Sequence, residues 1–293
     1  ILHDHLECGN VLKFVDVELE HNVKTITDFK RNGSRFCSKP NSNHRDTVFF
    51  ENELCVLADK VVLDEADMLL SVGGDGTFLS ASMLVAGRGI PVVGVNSGRL
   101  GFLSENRPAD VVQALLSGEY SVEHRAMLEA EVHTGESSID SWPYALNEFT
   151  VHRSGAAMLG VEVSVDGVQL PVYWADGLIV STSSGSTAYS LSVGGPIVLP
   201  ESRVLIISPI APHNLNVRPL VVPDTAEVRL KMHSRDENVI FTADNRTASI
   251  SSDSQIAVRV AQFSLERVRL NRSNFIDALT EKLFWGEDVR NIK

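Results

Sequence analysis

The chain has 293 residues, of which 43% are hydrophobic, and a formal net charge of −12. This length predicts two domains, and the negative charge argues against a nucleic acid or an anionic membrane surface as partner. No apolar run is long enough for a membrane helix. The N-terminal segment ILHDHLECGN lacks the basic start and apolar centre of a secretory signal peptide.

The cysteines do not form a recognisable pattern. Cys8, Cys37 and Cys55 are widely spaced and contain no C-x-x-C pair. Such spacing favours free thiols in a reducing cytoplasm over a disulfide framework or a zinc site, so we expect a cytoplasmic protein. Because the sequence starts at Ile1 without an initiator methionine, we also expect it to be a piece of a longer chain.

The first 60 residues are ambiguous. KFVDVELE and VFFENELCVLA could each be a strand or a helix, and residues 38–47 read as a loop. From residue 66 the pattern is clearer, with apolar runs typical of buried parallel strands at 66–72 and 90–96. Helical patterns follow them, ending at Gly87 and Gly118. This alternation predicts a βαβ unit and a parallel sheet.

After about residue 122 the sequence becomes rich in short, often alternating apolar segments that are separated by turns, which predicts a β-rich domain. These segments are MLEAEVHT, LNEFTVHR, LGVEVSVDG, GLIVSTS, RVLIISPI, AEVRLKMH, NVIFTAD and QIAVRV. The tail from Phe275 to Gly286 is again helical in pattern. We therefore predict an α/β domain of residues 1–121, completed by residues 262–293, and a β-rich domain of residues 122–261.

The first motif with a chemical meaning is GGDGT, from Gly73 to Thr77. It follows a predicted strand and opens a predicted helix, a context in which a glycine turn can bind an anion. The alternative is an ordinary strand-to-helix turn in which Asp75 caps the helix. Neither a G-x-x-x-x-G-K-[ST] loop nor a G-x-G-x-x-G fingerprint after a strand is present.

Two further motifs lie in the β-rich half. In LNEFT, the adjacent Asn147 and Glu148 would point to opposite faces of a strand, and the sequence alone favours an exposed strand edge. In ADGLIVSTSSGSTAYSLSVGGPIVLP (residues 175–200), a strand runs into a turn where hydroxyls and N–H groups converge. The alternative is a solvated serine-rich loop, against which Tyr189 and the glycine pair at 194–195 argue.

Together these three motifs resemble the NAD kinase family, in the family's order and at its spacing. PIAPHNLNVRPLVVP and the KLFWGEDVRN tail are also similar to it, so that the resemblance covers about residues 62–293. It implies an α/β N-terminal domain with a parallel sheet, a β-rich C-terminal domain, and a C-terminal segment that returns to the first domain. It also implies phosphoryl transfer from ATP to the 2′-hydroxyl of the adenosine ribose of NAD, a divalent metal that is usually Mg²⁺, and a homodimer or homotetramer.

The resemblance also implies roles for individual residues. Asp75 would be catalytic and would face the ribose hydroxyls, within a turn that includes Gly74 and Gly76. Asn147 and Glu148 would bind NAD, with Asn147 at the adenine. Asp176 would reach the nicotinamide end. Further NAD-binding residues would be Ser184, Thr187, Ala188, Tyr189, Ser192 and Asp244; Asn245 stands where the family has a glycine after that aspartate.

A carboxylate in an anion-binding turn has two chemical uses. Asp75 can accept the proton of a ribose hydroxyl, or it can help to hold a metal that bridges phosphate oxygens. Without a P-loop lysine, phosphate charge would be neutralised by the metal, glycine N–H groups and arginines, for which Arg99 and Arg218 are candidates. The residues that hold the metal are not identified by the sequence.

Two other functions compete with this one. GGDGT alone is similar to turns in lipid kinases and phosphofructokinases, so a lipid or sugar kinase is the nearest alternative. The other is a non-catalytic NAD-binding regulator, which would be expected to lack the catalytic carboxylate.

Overall fold

The computed structural model describes the backbone of residues 14–17 and the whole of residues 67–96, 101–133, 143–271 and 274–285. The three cysteines, the predicted loop at 38–47, the segment VFFENELCVLA and Arg99 lie outside the described residues. The chain divides into two compact units, a first unit of residues 1–123 with 266–293 and a second unit of residues 124–265. The predicted limits differ from these by a few residues, and as domain boundaries they stay a prediction.

The described elements alternate between strands and helices at first and are mostly strands thereafter. The helices are α1 (Asp75–Val85), α2 (Pro108–Ser117), the short α3 (Tyr189–Ser192) and α4 (Phe275–Leu283), with a 3₁₀ turn at Ser184–Thr187. The strands are β1 (Phe14–Val17), β2 (Met68–Gly73), β3 (Val92–Asn96), β4 (Tyr120–His133), β5 (Tyr144–Ala145), β6 (Glu148–Arg153), β7 (Leu159–Val165), β8 (Val168–Gln169), β9 (Tyr173–Ala175), β10 (Gly177–Thr182), β11 (Val204–Ile210), β12 (Leu220–Pro223), β13 (Val228–His233), β14 (Asn238–Ala243), β15 (Arg246–Ser251) and β16 (Gln255–Leu270).

The first unit is built on parallel strands. β1, β2 and β3 are parallel neighbours in that order, and the end of β16 joins β3 in parallel at Arg267 and Val92. Every residue of β2 and β3 is buried, because helices cover parallel sheets on both faces, and this explains their continuous apolar runs. KFVDVELE therefore contains a strand, and the predicted parallel sheet is confirmed.

The ends of the helices in the first unit carry residues that commonly start or stop helices. α2 starts with a proline in its first turn and ends before Gly118, whose φ of 73° is the left-handed conformation that closes helices. α4 has Asn274 as its N-cap, and the Asn274 side chain accepts the Asp277 N–H at 2.8 Å. No helix among the described residues is long and apolar enough to cross a bilayer.

The second unit consists of antiparallel sheets around one core. A six-stranded sheet has the order β12-β11-β10-β6-β14-β15, so β6 is an interior strand. A second group pairs β7 with β8, β9 and β13. Side chains from both groups share one apolar cluster, with Phe149 and Phe241 stacked at 5.4 Å between ring centroids. The predicted β-rich domain is confirmed.

The strands β4 and β16 belong to both units, because the chain passes between the units at residues 123–124 and 265–266. They are 14 and 16 residues long, longer than the predicted MLEAEVHT and QIAVRV. The second half of β16, AQFSLERVRL, carries charged residues that weaken a strand pattern in sequence. Its C-terminal end nevertheless contributes Val268 and Leu270 to the core of the first unit, as the predicted return of the chain requires.

Candidate functional site

Asp75, Gly74 and Gly76 lie in the first unit, and the other predicted site residues lie in the second. β2 ends at Gly73, where an added Cβ would lie 2.3 Å from the Thr77 hydroxyl, so the turn needs a glycine there. The N-cap of α1 is Gly74, and Asp75 is the first helical residue. The alternative in which Asp75 caps its own helix is therefore wrong.

The Asp75 carboxylate instead binds a loop that follows β3. Its Oδ2 accepts the Phe102 N–H at 2.8 Å, and its Oδ1 accepts the N–H groups of Leu103 and Ser104 at 3.0 and 2.9 Å. At Gly101 a Cβ would lie 1.8 Å from Oδ1, so only glycine allows this approach. A carboxylate has about four acceptor positions. Three are used here, and one on Oδ2 remains for another donor.

This arrangement lies at the carboxyl end of the parallel strands. Gly73 and Asn96, the last residues of β2 and β3, stand opposite each other. The Asn96 side chain donates to the Ser104 carbonyl at 2.9 Å, and the Ser104 hydroxyl donates to the Gly74 carbonyl at 3.2 Å. Open α/β sheets bind ligands at this end of their strands, so Asp75 stands where the predicted functional carboxylate is expected.

In the second unit, the Asp244 carboxylate accepts main-chain N–H groups in the way that the Asp75 carboxylate does in the first. Asp244 lies in the two-residue turn between β14 and β15 with φ of 51°, and its carboxylate accepts the N–H groups of Leu146, Asn147 and Glu148 at 2.8, 2.8 and 3.2 Å. Asn245 is not among the residues with positive φ. The missing family glycine therefore causes no left-handed strain.

Asn147 and Glu148 are both 7% exposed, so the expectation of an exposed strand edge is wrong. They are buried because β6 has β10 on one side and β14 on the other. The pKa of the Glu148 carboxyl is raised to about 8, mainly by burial and also by the negative charge of Asp244, while a hydrogen bond from the Tyr189 N–H opposes the shift. Within the described residues, Glu148 Oε2 has no hydrogen-bond partner.

The segment STSSGSTAYS is packed against this pair. The alternative of a solvated loop is wrong, because most of its hydroxyl side chains are buried: Ser181, Thr182, Ser183, Ser186 and Ser190. Thr182 N–H donates to the Asn147 carbonyl at 2.9 Å. A Cβ at Gly185 would lie 2.2 Å from that same carbonyl oxygen, so this glycine allows the turn to close over Asn147.

The remaining predicted pocket residues line the outer side of this turn. Ser184, Thr187 and Ala188 are half-buried, Ser192 is exposed and Tyr189 is 36% exposed. The Tyr189 ring stacks on His152, with 5.7 Å between centroids and 14° between planes. A partly exposed aromatic face beside hydroxyls and N–H groups is suited to contacting a flat ligand.

Asp176 lies between β9 and β10 and forms an ion pair with Arg153, whose Nε is 2.7 Å from Oδ1. Both side chains are about a third or more exposed, so this pair adds little stability. Burial lowers the pKa of His152, and the charge of Asp176 raises it in part. His152 and Arg153 were missed in the sequence, where the only signal is their position at the end of LNEFTVHR.

The structure gives little support to the arginine predicted to neutralise phosphate charge. Arg218 is exposed, and its Nη1 donates to the carbonyls of Leu215 and Val217 at 2.6 and 2.8 Å within its own turn. In the part of the chain that the structure describes, no group of three or more histidine, cysteine or acidic residues is placed to hold a metal ion.

Comparison with known proteins identifies the family. The model of the ATP-NAD kinase N-terminal domain matches residues 13–120, and that of the ATP-NAD kinase C-terminal domain matches residues 146–270. The chain belongs to the NAD kinase family. The predicted resemblance is thus confirmed, and it begins about 50 residues earlier than the motifs indicated. Because residues 146–270 also match an NAD kinase domain, the family assignment does not depend on the GGDGT turn that lipid kinases share.

Relatives with curated names agree with this family assignment. The NAD kinase of Flavobacterium psychrophilum is 43% identical over 229 residues, covering 77% of this chain and 78% of that protein. The NAD kinase of Bacteroides fragilis is 40% identical over 230 residues, covering 77% of this chain and 79% of that protein. The prediction of an NAD kinase enzyme is therefore confirmed at the level of the family.

Two solved structures are similar to this member of the NAD kinase family. Yeast NADH kinase in complex with NADH superposes with a TM-score of 0.71 and 28% identity, over 78% of this chain and 69% of that one. An NAD kinase from Archaeoglobus fulgidus in complex with ATP gives a TM-score of 0.63 and 31% identity, over 75% of this chain and 84% of that one. The predicted fold class is confirmed by these neighbours.

Proposed function

We propose that this chain transfers the γ-phosphoryl group of ATP to the 2′-hydroxyl of the adenosine ribose of NAD, giving NADP and ADP. The observation that carries the proposal is the Asp75 carboxylate, held by three N–H groups at the carboxyl end of the parallel strands with one acceptor position left. Family membership supports it, as do similar structures that hold NADH in one case and ATP in another.

In the proposed reaction Asp75 is the general base. Its remaining acceptor position receives the hydrogen bond of the ribose hydroxyl and then the proton itself. The hydroxyl oxygen forms a bond to the γ-phosphorus while the bond from that phosphorus to the oxygen of ADP breaks. The N–H groups of Phe102, Leu103 and Ser104 keep the carboxylate oriented, so that little reorganisation is needed during the step.

For the second unit we propose the binding of NAD. Asn147 would contact the adenine, and Glu148 a ribose hydroxyl through its unpartnered Oε2. Asp176 would reach the nicotinamide end, and the pocket would be completed by Ser184, Thr187, Ala188, Tyr189 and Ser192. Asp244 would act through Asn147 and Glu148, since its carboxylate already accepts their N–H groups.

We also propose a requirement for a divalent metal, with Mg²⁺ as the expected ion. Mg²⁺ is usually held by one or two carboxylates together with substrate phosphates. In this proposal the substrate phosphates would supply most of the ligands of the metal, because the one acceptor position left on Asp75 Oδ2 is assigned to the ribose hydroxyl. Bound metal would neutralise phosphate charge in place of the absent P-loop lysine. A cytoplasmic homodimer or homotetramer is proposed from family membership alone.

The function is tested by incubating the purified chain with NAD, ATP and Mg²⁺ and measuring NADP by chromatography. We expect NADP to form, ADP to appear in equal amount, and both to vanish in excess EDTA. Parallel reactions replace NAD with a diacylglycerol or a hexose phosphate. Phosphorylation of either instead of NAD would assign a lipid or sugar kinase, and NAD binding without turnover would assign a regulator. Full activity in EDTA would refute the metal requirement.

A further inference from the structure

The loop that binds Asp75 is also held from its other side by the C-terminal segment. Lys282, near the end of α4, donates a hydrogen bond from Nζ to the Gly101 carbonyl. The same ammonium lies 4.5 Å from the centroid of the Phe102 ring, a cation–π distance. The Phe102 ring in turn contacts the Phe275 ring of α4 at 6.2 Å between centroids.

A second cation from the same segment contacts the next part of the loop. Arg267 on β16 donates from Nη2 to the Leu103 carbonyl at 3.3 Å and to Glu105 Oε1 at 2.6 Å. Its side chain is only 5% exposed, and Nη1 lies 3.6 Å from Glu123. The loop at 101–104 therefore gives its N–H groups to the Asp75 anion and two of its carbonyls to cations.

The surroundings of Lys282 indicate that its ammonium group is held in place by particular partners. Burial lowers the pKa of Lys282, while the charges of Glu105 and Asp75 act in the opposite direction. An ammonium that loses water needs compensating partners, and here they are a carbonyl and an aromatic ring of one short loop. Arg267 is buried in a network of acidic residues, whereas Lys282 is half-buried and can be truncated with less damage to the core.

We propose that Lys282 is a positioning residue for phosphoryl transfer: by fixing the Gly101 carbonyl and the Phe102 ring, it holds the loop whose N–H groups orient the Asp75 carboxylate. The inference rests on the proposed function, in which Asp75 is the base. A base must lie within hydrogen-bond reach of the proton that it accepts, and a misplacement of about 1 Å can reduce a rate on the order of 100-fold. Lys282 itself touches neither substrate in this mechanism.

The first test compares Lys282→Met, which keeps the apolar stem, with Lys282→Arg, which keeps a charged donor. Lys231→Met, at an exposed lysine of β13, is the matched control. We expect Lys282→Met to lower kcat by about 10- to 100-fold with KM values for NAD and ATP within about threefold of wild type. Lys282→Arg should retain most of kcat, and Lys231→Met should match wild type. A wild-type kcat in Lys282→Met would overturn the proposal.

The second test asks whether Lys282 acts through Asp75. If it does, Lys282→Met should cost little further kcat in an Asp75→Asn background, because the group that it positions is already gone. An equal fold-loss in both backgrounds would contradict the inference. Lys282→Gln, which keeps a neutral donor, replaces Lys282→Met if circular dichroism shows that the methionine variant is unfolded.

Hydrogen exchange gives a readout that does not depend on activity. The amides of residues 102–104 should exchange faster in Lys282→Met than in wild type, with amides of β6 unchanged as an internal control. Unchanged exchange at residues 102–104 would overturn the proposed role of Lys282 in positioning this loop. Failure of the wild-type protein to make NADP would instead overturn the proposed function, so the two failures are distinguishable.

Discussion

The main-chain N–H of Glu148 donates to the carboxylate of Asp244, and the negative charge of that carboxylate raises the pKa of the Glu148 side chain. Asp244 thus fixes the backbone of Glu148 and at the same time disfavours ionisation of the Glu148 side chain. Burial also raises the pKa of Asp244, against which the three N–H donors act. The cluster therefore favours a protonated Glu148 at neutral pH, and a protonated carboxyl can donate a hydrogen bond to a ligand.

Replacing Glu148 by glutamine should change how stability depends on pH. The folded pKa of about 8 exceeds the unfolded value of 4.5, so between these values the folded state binds more protons and wild-type stability falls as pH rises. Relative to wild type, Glu148→Gln should gain stability across this window, by at most about 1.4 kcal/mol per pH unit. Urea unfolding at pH 5, 7 and 9 measures this, with Glu201→Gln as an exposed control. A constant difference at all three values would contradict it.

Asp244→Asn should destabilise the second unit while leaving the turn conformation possible. Asparagine tolerates the φ of 51° at this position, but its amide has one oxygen for the N–H groups of residues 146–148. We expect the free energy of unfolding to fall by about 1–3 kcal/mol, measured by urea denaturation against the exposed Asp253→Asn. The pKa of Glu148 should also fall, because a neighbouring charge is gone. An unchanged urea midpoint would show that the three hydrogen bonds are replaceable.

Asp75→Asn should lower kcat by roughly 10²–10⁴-fold, the usual contribution of a general base, with a much smaller change in NAD affinity. From sequence the swap is nearly isosteric and leaves the turn intact. The structure adds that the new NH₂ group would face N–H donors of residues 102–104, so their hydrogen exchange should rise as well.

The kinetics are measured across a Mg²⁺ series, with the exposed Asp67→Asn as control. Recovery of rate at high Mg²⁺ would assign Asp75 mainly to the metal. A kcat within a few-fold of wild type would remove both catalytic roles and leave the loop anchor.

Tyr189→Ala should weaken NAD binding by about 1–3 kcal/mol, the range for an aromatic contact with a base. Tyr189→Phe keeps the ring and its stacking on His152, so it should bind NAD within a few-fold of wild type if the ring face is what matters. Calorimetric titration with NAD measures both, with circular dichroism to confirm folding. Equal losses in the two variants would assign the contact to the hydroxyl, and unchanged affinity in both would exclude Tyr189 from the pocket.

The parts of the fold that sequence predicts are those with local causes. Apolar runs located β2 and β3, and Gly118 located the end of α2, because burial on both faces and a left-handed cap leave marks at the residues concerned. No pattern in the sequence around Glu148 indicates that its side chain is buried. This burial depends on β10 and β14, which are brought beside β6 only by the tertiary fold.

The same limit applies to the site residues. Family motifs identified Asp75, but its carboxylate meets residues 27 to 29 positions away, a contact that no local pattern encodes. The helix-cap interpretation failed for this reason. Lys282 was seen only as part of a helical tail, because its loop partner Gly101 lies 181 positions earlier in the chain.

The return of the C-terminal segment to the first unit sets an order for folding during synthesis. Residues 124–265 form a continuous stretch that the ribosome releases before residue 266. Val268 and Leu270, which belong to the core of the first unit, emerge only after the whole of the second unit has been synthesised. Until then β3 lacks its partner at Arg267, and an unpaired strand edge can associate with other chains. Nascent chains that stall before this point are therefore expected to be the ones that recruit chaperones.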